Sequence, residues 1–158
     1  MYDLELKKSH FPAQNDADIL NITVGELLRE VAAKSSTKIA LVDILDNGAC
    51  GQSWTYKEIY EKAESLALSL SNKYKKGERI VVWAPNIPEW VFMEYACGLA
   101  GLVLVTANPS FQAPELRYVI EQSKAVGLFM VNDYRGNPMQ DIAKDATNGN
   151  TQLREIMN

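Results

Sequence analysis

Arg79-Ile80-Val81-Val82-Trp83-Ala84 decides the fold. It is short, apolar after its first residue, and does not alternate. Two runs of the same kind follow, Leu102-Val103-Leu104-Val105-Thr106 and Ala125-Val126-Gly127-Leu128-Phe129-Met130-Val131. Strands covered on both faces read this way, because neither side of the pleat has to meet water. Between the first two runs lies Pro88–Ala100, with Asn86 as its expected cap and Pro88 tolerated in the first turn. Between the second and third lies Pro114–Ser123, which carries Leu116, Val119 and Ile120 on one face. Strand, helix, strand, helix, strand implies a parallel sheet with right-handed crossovers. The fold class is therefore α/β, with a Rossmann-like βαβαβ core.

Working outward toward the N-terminus, Thr55-Tyr56-Lys57-Glu58 has capping-box spacing. It opens a helix whose buried stripe is Ile59, Ala63, Leu66, Ala67 and Leu70, with Gly77 as its expected stop. Thr23-Val24-Gly25-Glu26 repeats the box, and Leu27, Leu28 and Val31 follow at helical spacing toward a stop at Ser35-Ser36. Lys38–Ile44 reads as a strand and Asp46-Asn47-Gly48 as a turn. Gly48-Ala49-Cys50-Gly51 continues as a hairpin-like turn. Residues 1–20 lack sustained periodicity and are expected to lie as an arm over a single α/β domain, 21–158. Toward the C-terminus Pro138–Ala146 suggests another helix, and Thr151 opens a further element. The Pro88–Ala100 helix carries only Glu89 and Glu94 as charges, so it belongs in the interior.

Of 158 residues, 47% are hydrophobic and 23% charged, which excludes a disordered chain. A chain of this length buries about 68–70% of its unfolded surface, enough for one core. Sixteen Lys and Arg against 20 Asp and Glu give a net charge of −4. The densest basic cluster, Lys73-Tyr74-Lys75-Lys76, sits at a helix end, where cations favour the helix dipole. No nucleic-acid partner is expected. Cys50 and Cys97 form no C-x-x-C pair, His10 has no second imidazole beside it, and no metal site is expected. Free thiols and a mixed-charge N-terminus point to a cytoplasmic location. The uncharged stretch from Tyr95 to Pro114 breaks at Gly98 and Gly101, short of the ~20 apolar residues of a transmembrane segment.

Direct catalytic signals are missing from this stretch. No phosphate-binding glycine loop follows a strand, and Gly98-Leu99-Ala100-Gly101 ends a helix where an anion site would need a beginning. Asp43 and Asp46 flank a strand end, while Glu58, Glu61 and Glu64 lie on a solvated helix face. The one histidine, His10, lies in the irregular N-terminal arm, so no Ser-His-Asp site is expected. The expected carboxyl ends of the strands remain: Ala84-Pro85-Asn86, Ala107-Asn108-Pro109-Ser110, and Asn132-Asp133-Tyr134-Arg135-Gly136. Open α/β sheets bind ligands there. Arg135 offers a planar, permanently charged fork suited to phosphate, and Gly136 would permit close backbone approach.

The order of several motifs carries a resemblance. Trp54-Thr55-Tyr56-Lys57-Glu58-Ile59 is followed by Ile80-Val81-Val82-Trp83-Ala84-Pro85-Asn86-Ile87-Pro88-Glu89-Trp90. Then Ala96-Cys97-Gly98-Leu99-Ala100-Gly101 leads through Leu102-Val103-Leu104-Val105-Thr106-Ala107-Asn108-Pro109 into Ala113-Pro114-Glu115-Leu116. Over residues 20–136 this resembles the N-terminal part of AMP-forming acyl-CoA synthetases, relatives of firefly luciferase and peptide-synthetase adenylation domains. The Asn-Ile-Pro-Glu-Trp stretch looks most like fatty-acyl members.

The resemblance implies a two-step ligase. A fatty-acid-like carboxylate attacks the α-phosphate of Mg-ATP, giving acyl-AMP and pyrophosphate, and the CoA thiol then displaces AMP. It further implies that the phosphate loop, adenine pocket and catalytic lysine lie beyond this stretch. The chain alone is thus expected to be inactive and to hold no ATP, CoA or Mg. By the same resemblance, Asn108, Ser110 and Arg135 match positions that approach the CoA nucleotide. A bare sheet edge at the end of this stretch favours self-association, including swapping of the arm 1–20. The alternative reading is a free-standing flavodoxin-like binding or receiver module. Asp43 and Asp133 stand without the aligned acidic neighbours a receiver needs.

Overall fold

The computed structural model describes Ser9, residues 16–45 and residues 47–158. Most of the expected arm, together with His10 and Asp46, lies outside the described residues. Residues 16–22 form neither helix nor strand and are exposed. The chain then runs α1 (Val24–Lys34), β1 (Ile39–Ile44), β2 (Cys50–Thr55), α2 (Tyr56–Lys73), β3 (Arg79–Trp83), α3 (Pro88–Ala100), β4 (Val103–Ala107), α4 (Ala113–Ser123), β5 (Gly127–Met130), α5 (Met139–Ala146) and β6 (Glu155–Met157).

Both capping boxes form. Thr23 Oγ1 accepts from Glu26 N at 3.2 Å while Glu26 Oε2 accepts from Thr23 N at 2.9 Å. Thr55 and Glu58 repeat the exchange at 3.2 and 2.8 Å. Each box satisfies two otherwise orphaned donors at a helix start.

β1 and β2 pair antiparallel as a separate hairpin. β3 to β6 form a parallel sheet in the order β4-β3-β5-β6. Side chains alternate across β3. Val81 and Trp83 join Leu128, Met130 and the buried faces of α4 and α5, including Leu116, Ile120 and Met139. Ile80 and Val82 join Leu70, Met93, Ala96 and Cys97 from α2 and α3. Leu28, Trp54, Ile59 and Ala63 make a third, smaller cluster where α1, α2 and the hairpin meet. Trp54 meets Phe92 of α3 edge-on, with ring centroids 5.4 Å apart. α1, α2, the hairpin and the sheet thus cover much of the apolar wrap of α3.

Several local expectations need correction. The N-cap of α3 is Ile87, not Asn86, and no side chain bonds there. Pro88 occupies the first helical position and drives the preceding residue into extended backbone, φ −123° and ψ 156°. Gly77 does not stop α2. The helix ends at Lys73 because Tyr74 leaves it in extended conformation and drops its ring into the core, 4% exposed. Gly77 instead takes φ +83° in the turn into β3. Cys50 and Gly51 belong to β2, so the turn ends at Ala49. β4 was expected to be covered on both faces, but it is the sheet's edge, and Val103 is exposed.

Candidate functional site

β4 and β5 lie on opposite sides of β3, so the chain reverses direction across the sheet between them. Open α/β sheets take ligands outside the carboxyl ends of their strands, and β4 and β5 both lead to helices on one face of this sheet. Here the β4–α4 loop and the segment after β5 enclose a cavity of about 280 Å³, lined by Ser110, Gln112, Tyr134, Arg135, Gly136 and Asn137. Ser110 and Arg135, expected from sequence, come together on its wall.

The wall is built from two turns. Tyr134 and Asn137 exchange backbone hydrogen bonds at 2.8 and 3.2 Å. The central residues Arg135 and Gly136 have φ of 51° and 79°. Two left-handed residues between paired flanks make a type I′ turn. Glycine adopts this freely, whereas arginine at positive φ is uncommon. A Cβ on Gly136 would meet no protein atom within 4 Å, so within the fold this glycine serves the turn. In the other loop, Asn108 Oδ1 accepts from Ser110 N at 2.9 Å, and Asn108 O accepts from the buried Trp83 indole at 2.8 Å. Asn108 therefore shapes the loop from beneath and does not line the cavity.

Arg135 lies with its guanidinium 5.2 Å from the centre of the Tyr134 ring. Among the described residues it forms no ion pair. The cavity thus presents one uncompensated cation among hydroxyl and amide groups, a set suited to an anion. Among the described residues no cluster of three His, Cys, Asp or Glu side chains is placed to hold a metal ion.

Gln112 and Asn137 went unnoticed in the sequence. Gln112 Nε2 donates to Asn137 Oδ1 at 2.8 Å, joining the two loops. The available signal was Arg135-Gly136 read as the centre of a hairpin turn, which places Asn137 at its closing position.

The opposite end of the sheet is built differently. Lys73 Nζ lies 2.9 Å from Glu155 Oε2, Arg154 pairs with Glu78, and the Tyr74 hydroxyl donates to Glu155. Burial and the neighbouring Glu155 push the Tyr74 hydroxyl well above its ordinary pKa. The Lys73 and Tyr74 hydrogen bonds hold Glu155 below the usual carboxylate range.

Residues 28–157 match the family described as AMP-binding enzyme. The chain belongs to that family. It is 32% identical over 136 residues to the mitochondrial medium-chain acyl-CoA ligase ACSF2 of Mus musculus, covering 86% of this chain. It is 33% identical over 127 residues to the putative acyl-CoA synthetase YngI of Bacillus subtilis, covering 80%. The chain spans 22% of the length of each relative. Among solved structures, apo MbtA of Mycobacterium smegmatis superposes with a TM-score of 0.74 at 25% identity, covering 87% of this chain and 24% of that one. The α/β architecture matches that of the N-terminal subdomains of adenylate-forming enzymes, and nothing favours a flavodoxin-like binding or receiver module. Among the described residues of this AMP-binding family member, no helix is long and apolar enough to cross a membrane.

Proposed function

We propose that this chain is the N-terminal part of a larger domain in an ATP-dependent acyl-CoA ligase. The observation that carries the reading is the family match over residues 28–157, shared with relatives named as acyl-CoA ligases. The longer protein joins a fatty-acid-like carboxylate to CoA through acyl-AMP, using ATP with Mg. In this reading the cavity at the carboxyl ends of β4 and β5 receives the CoA nucleotide. Its support is chemical. CoA carries a 3′-phosphate and a diphosphate, and Arg135 can meet phosphate with two parallel, charge-assisted bonds. In a chain of net charge −4, attraction must come from such a local cation. Ser110 adds a hydroxyl on the same wall.

The 158 residues alone are proposed to be inactive, since they present no phosphate loop. Full-length protein should form acyl hydroxamate from fatty acids and ATP, while residues 1–158 should not. Hydroxamate from the short chain would overturn this division, and none from the long one would overturn the ligase reading. Residues 1–158 are also proposed to self-associate. β6 has three residues at the sheet's edge with Ile156 exposed. Beside it lies an apolar cavity of about 330 Å³, lined in part by Ala84, Trp90, Met93, Phe129 and Met157. Light scattering should find dimers or larger species, and a monomer at high concentration would contradict it. Cys50 and Cys97 are both free thiols, in keeping with a reducing, cytoplasmic setting. Fractionation of cells expressing the full-length protein tests that location against the mitochondrial one named for the mouse relative.

A further inference from the structure

The two loops around the Arg135 cavity are bridged through one side chain. Asn137 accepts from Gln112 Nε2 at 2.8 Å through Oδ1 and donates to Pro109 O at 3.3 Å through Nδ2. Its backbone meanwhile closes the turn that holds Arg135, through both bonds to Tyr134. The β4–α4 loop is fixed from the other side, where the fully buried Trp83 indole holds Asn108 O. A chain of contacts therefore runs from the core through Trp83 and the 108–112 loop to Asn137. From there it reaches an arginine held at φ 51°. Left-handed backbone at a residue other than glycine persists only where its surroundings over-determine it. Here those surroundings are the closing bonds of the turn and the Asn137 amide.

From this geometry we infer that Asn137 is a positioning residue. It fastens the Tyr134–Asn137 turn to the β4–α4 loop, so that Arg135 and Ser110 face one cavity at a fixed separation. Without it the turn can still form, but it swings independently of Ser110, and the ligand must then order two loops when it binds. That cost falls on CoA affinity and not on the maximal rate. The inference rests on the reading of this cavity as the CoA nucleotide site, and the experiment separates the two.

In the full-length ligase, KM for CoA and kcat are measured for Asn137→Ala, Gln112→Ala, the double variant and Arg135→Ala. Gln112→Ala removes one of the two Asn137 bonds, leaves the one to Pro109 and does not touch the turn, which guards against a folding failure of Asn137→Ala. Asn137→Ala, which loses both bonds, should raise KM for CoA at least as much as Gln112→Ala, for which the rise should be about fivefold, equal to about 1 kcal/mol. That is the net worth of one hydrogen bond. The rate at saturating CoA should stay within about twofold, the split expected when uniform binding alone is lost. The double variant should be no worse than the poorer single, because partners in one bond are not additive. If Arg135→Ala raises KM while both bridge variants leave it unchanged, Asn137 has no positioning role and the CoA reading stands. If Arg135→Ala is itself silent, both fall. Equal losses in kcat and in folding stability would make the bridge merely structural and overturn the inference.

Discussion

A cluster at one end of the parallel sheet and Arg135 at the other hold charge in opposite ways. At the amino end, Lys73 pairs with Glu155, Arg154 pairs with Glu78, and the Tyr74 hydroxyl completes the group. Every cation in that group has a carboxylate. At the carboxyl end, Arg135 has none among the described residues, and the loops that carry it are joined by neutral amides. Paired charge holds structure together and leaves nothing for a ligand. An unpaired guanidinium on a strained turn contributes little to folding but stays available to an anion. The amino end is thus the fastening of the sheet, and the carboxyl end is its proposed working edge.

The largest expected effect tests the fastening. Tyr74→Ala removes a buried ring that packs over Gly127, where even a Cβ would come 2.4 Å from the Tyr74 hydroxyl. Loss of a buried aromatic costs about 3–5 kcal/mol, read from urea unfolding of residues 1–158. A loss below about 1 kcal/mol would mean the amino end is not a fastening.

A second variant sharpens the electrostatic half. The folded-state pKa of Glu155 is lowered by Lys73 first and Tyr74 next. Its stabilisation is therefore present above the unfolded carboxyl pKa, about 4.3, and is lost as pH falls through the lowered folded value. Glu155→Gln should lower stability at neutral pH and flatten the acid side of the stability profile. An acid limb as steep as that of the unaltered chain would place the pH dependence elsewhere.

The smallest effect concerns the working edge. Arg135→Asn suits the left-handed backbone better and should stabilise the chain by about 0.5–1 kcal/mol, a part of the usual cost of such a conformation. A destabilisation would show that Arg135 supports the fold and would erase the contrast between the two ends.

The parts of this account legible in the sequence are local. Thr23 with Glu26 and Thr55 with Glu58 are three residues apart, so each box can be read without knowing the fold. The three apolar runs likewise mark β3, β4 and β5. What escaped is decided by distance along the chain. Gln112 and Asn137 are 25 residues apart, and Tyr74 and Glu155 are 81 apart. In the sheet order β4-β3-β5-β6, each pair meets across one intervening strand, β3 for the first and β5 for the second. That same order puts β4 at the edge, although its composition matches that of the central β3. Arg135 was legible as a candidate from its place after β5. Its left-handed backbone, and the absence of a carboxylate partner among the described residues, became visible only in three dimensions.

The most direct test of the proposed working edge is kinetic, on the full-length protein with Arg135→Ala. Removing one charge-assisted contact to phosphate should raise KM for CoA about tenfold, or ~1.4 kcal/mol. ATP–pyrophosphate exchange, which reports acyl-AMP formation before CoA is needed, should stay within about twofold. An unchanged KM for CoA, or equal damage to both half-reactions, would contradict the assignment of this edge to CoA.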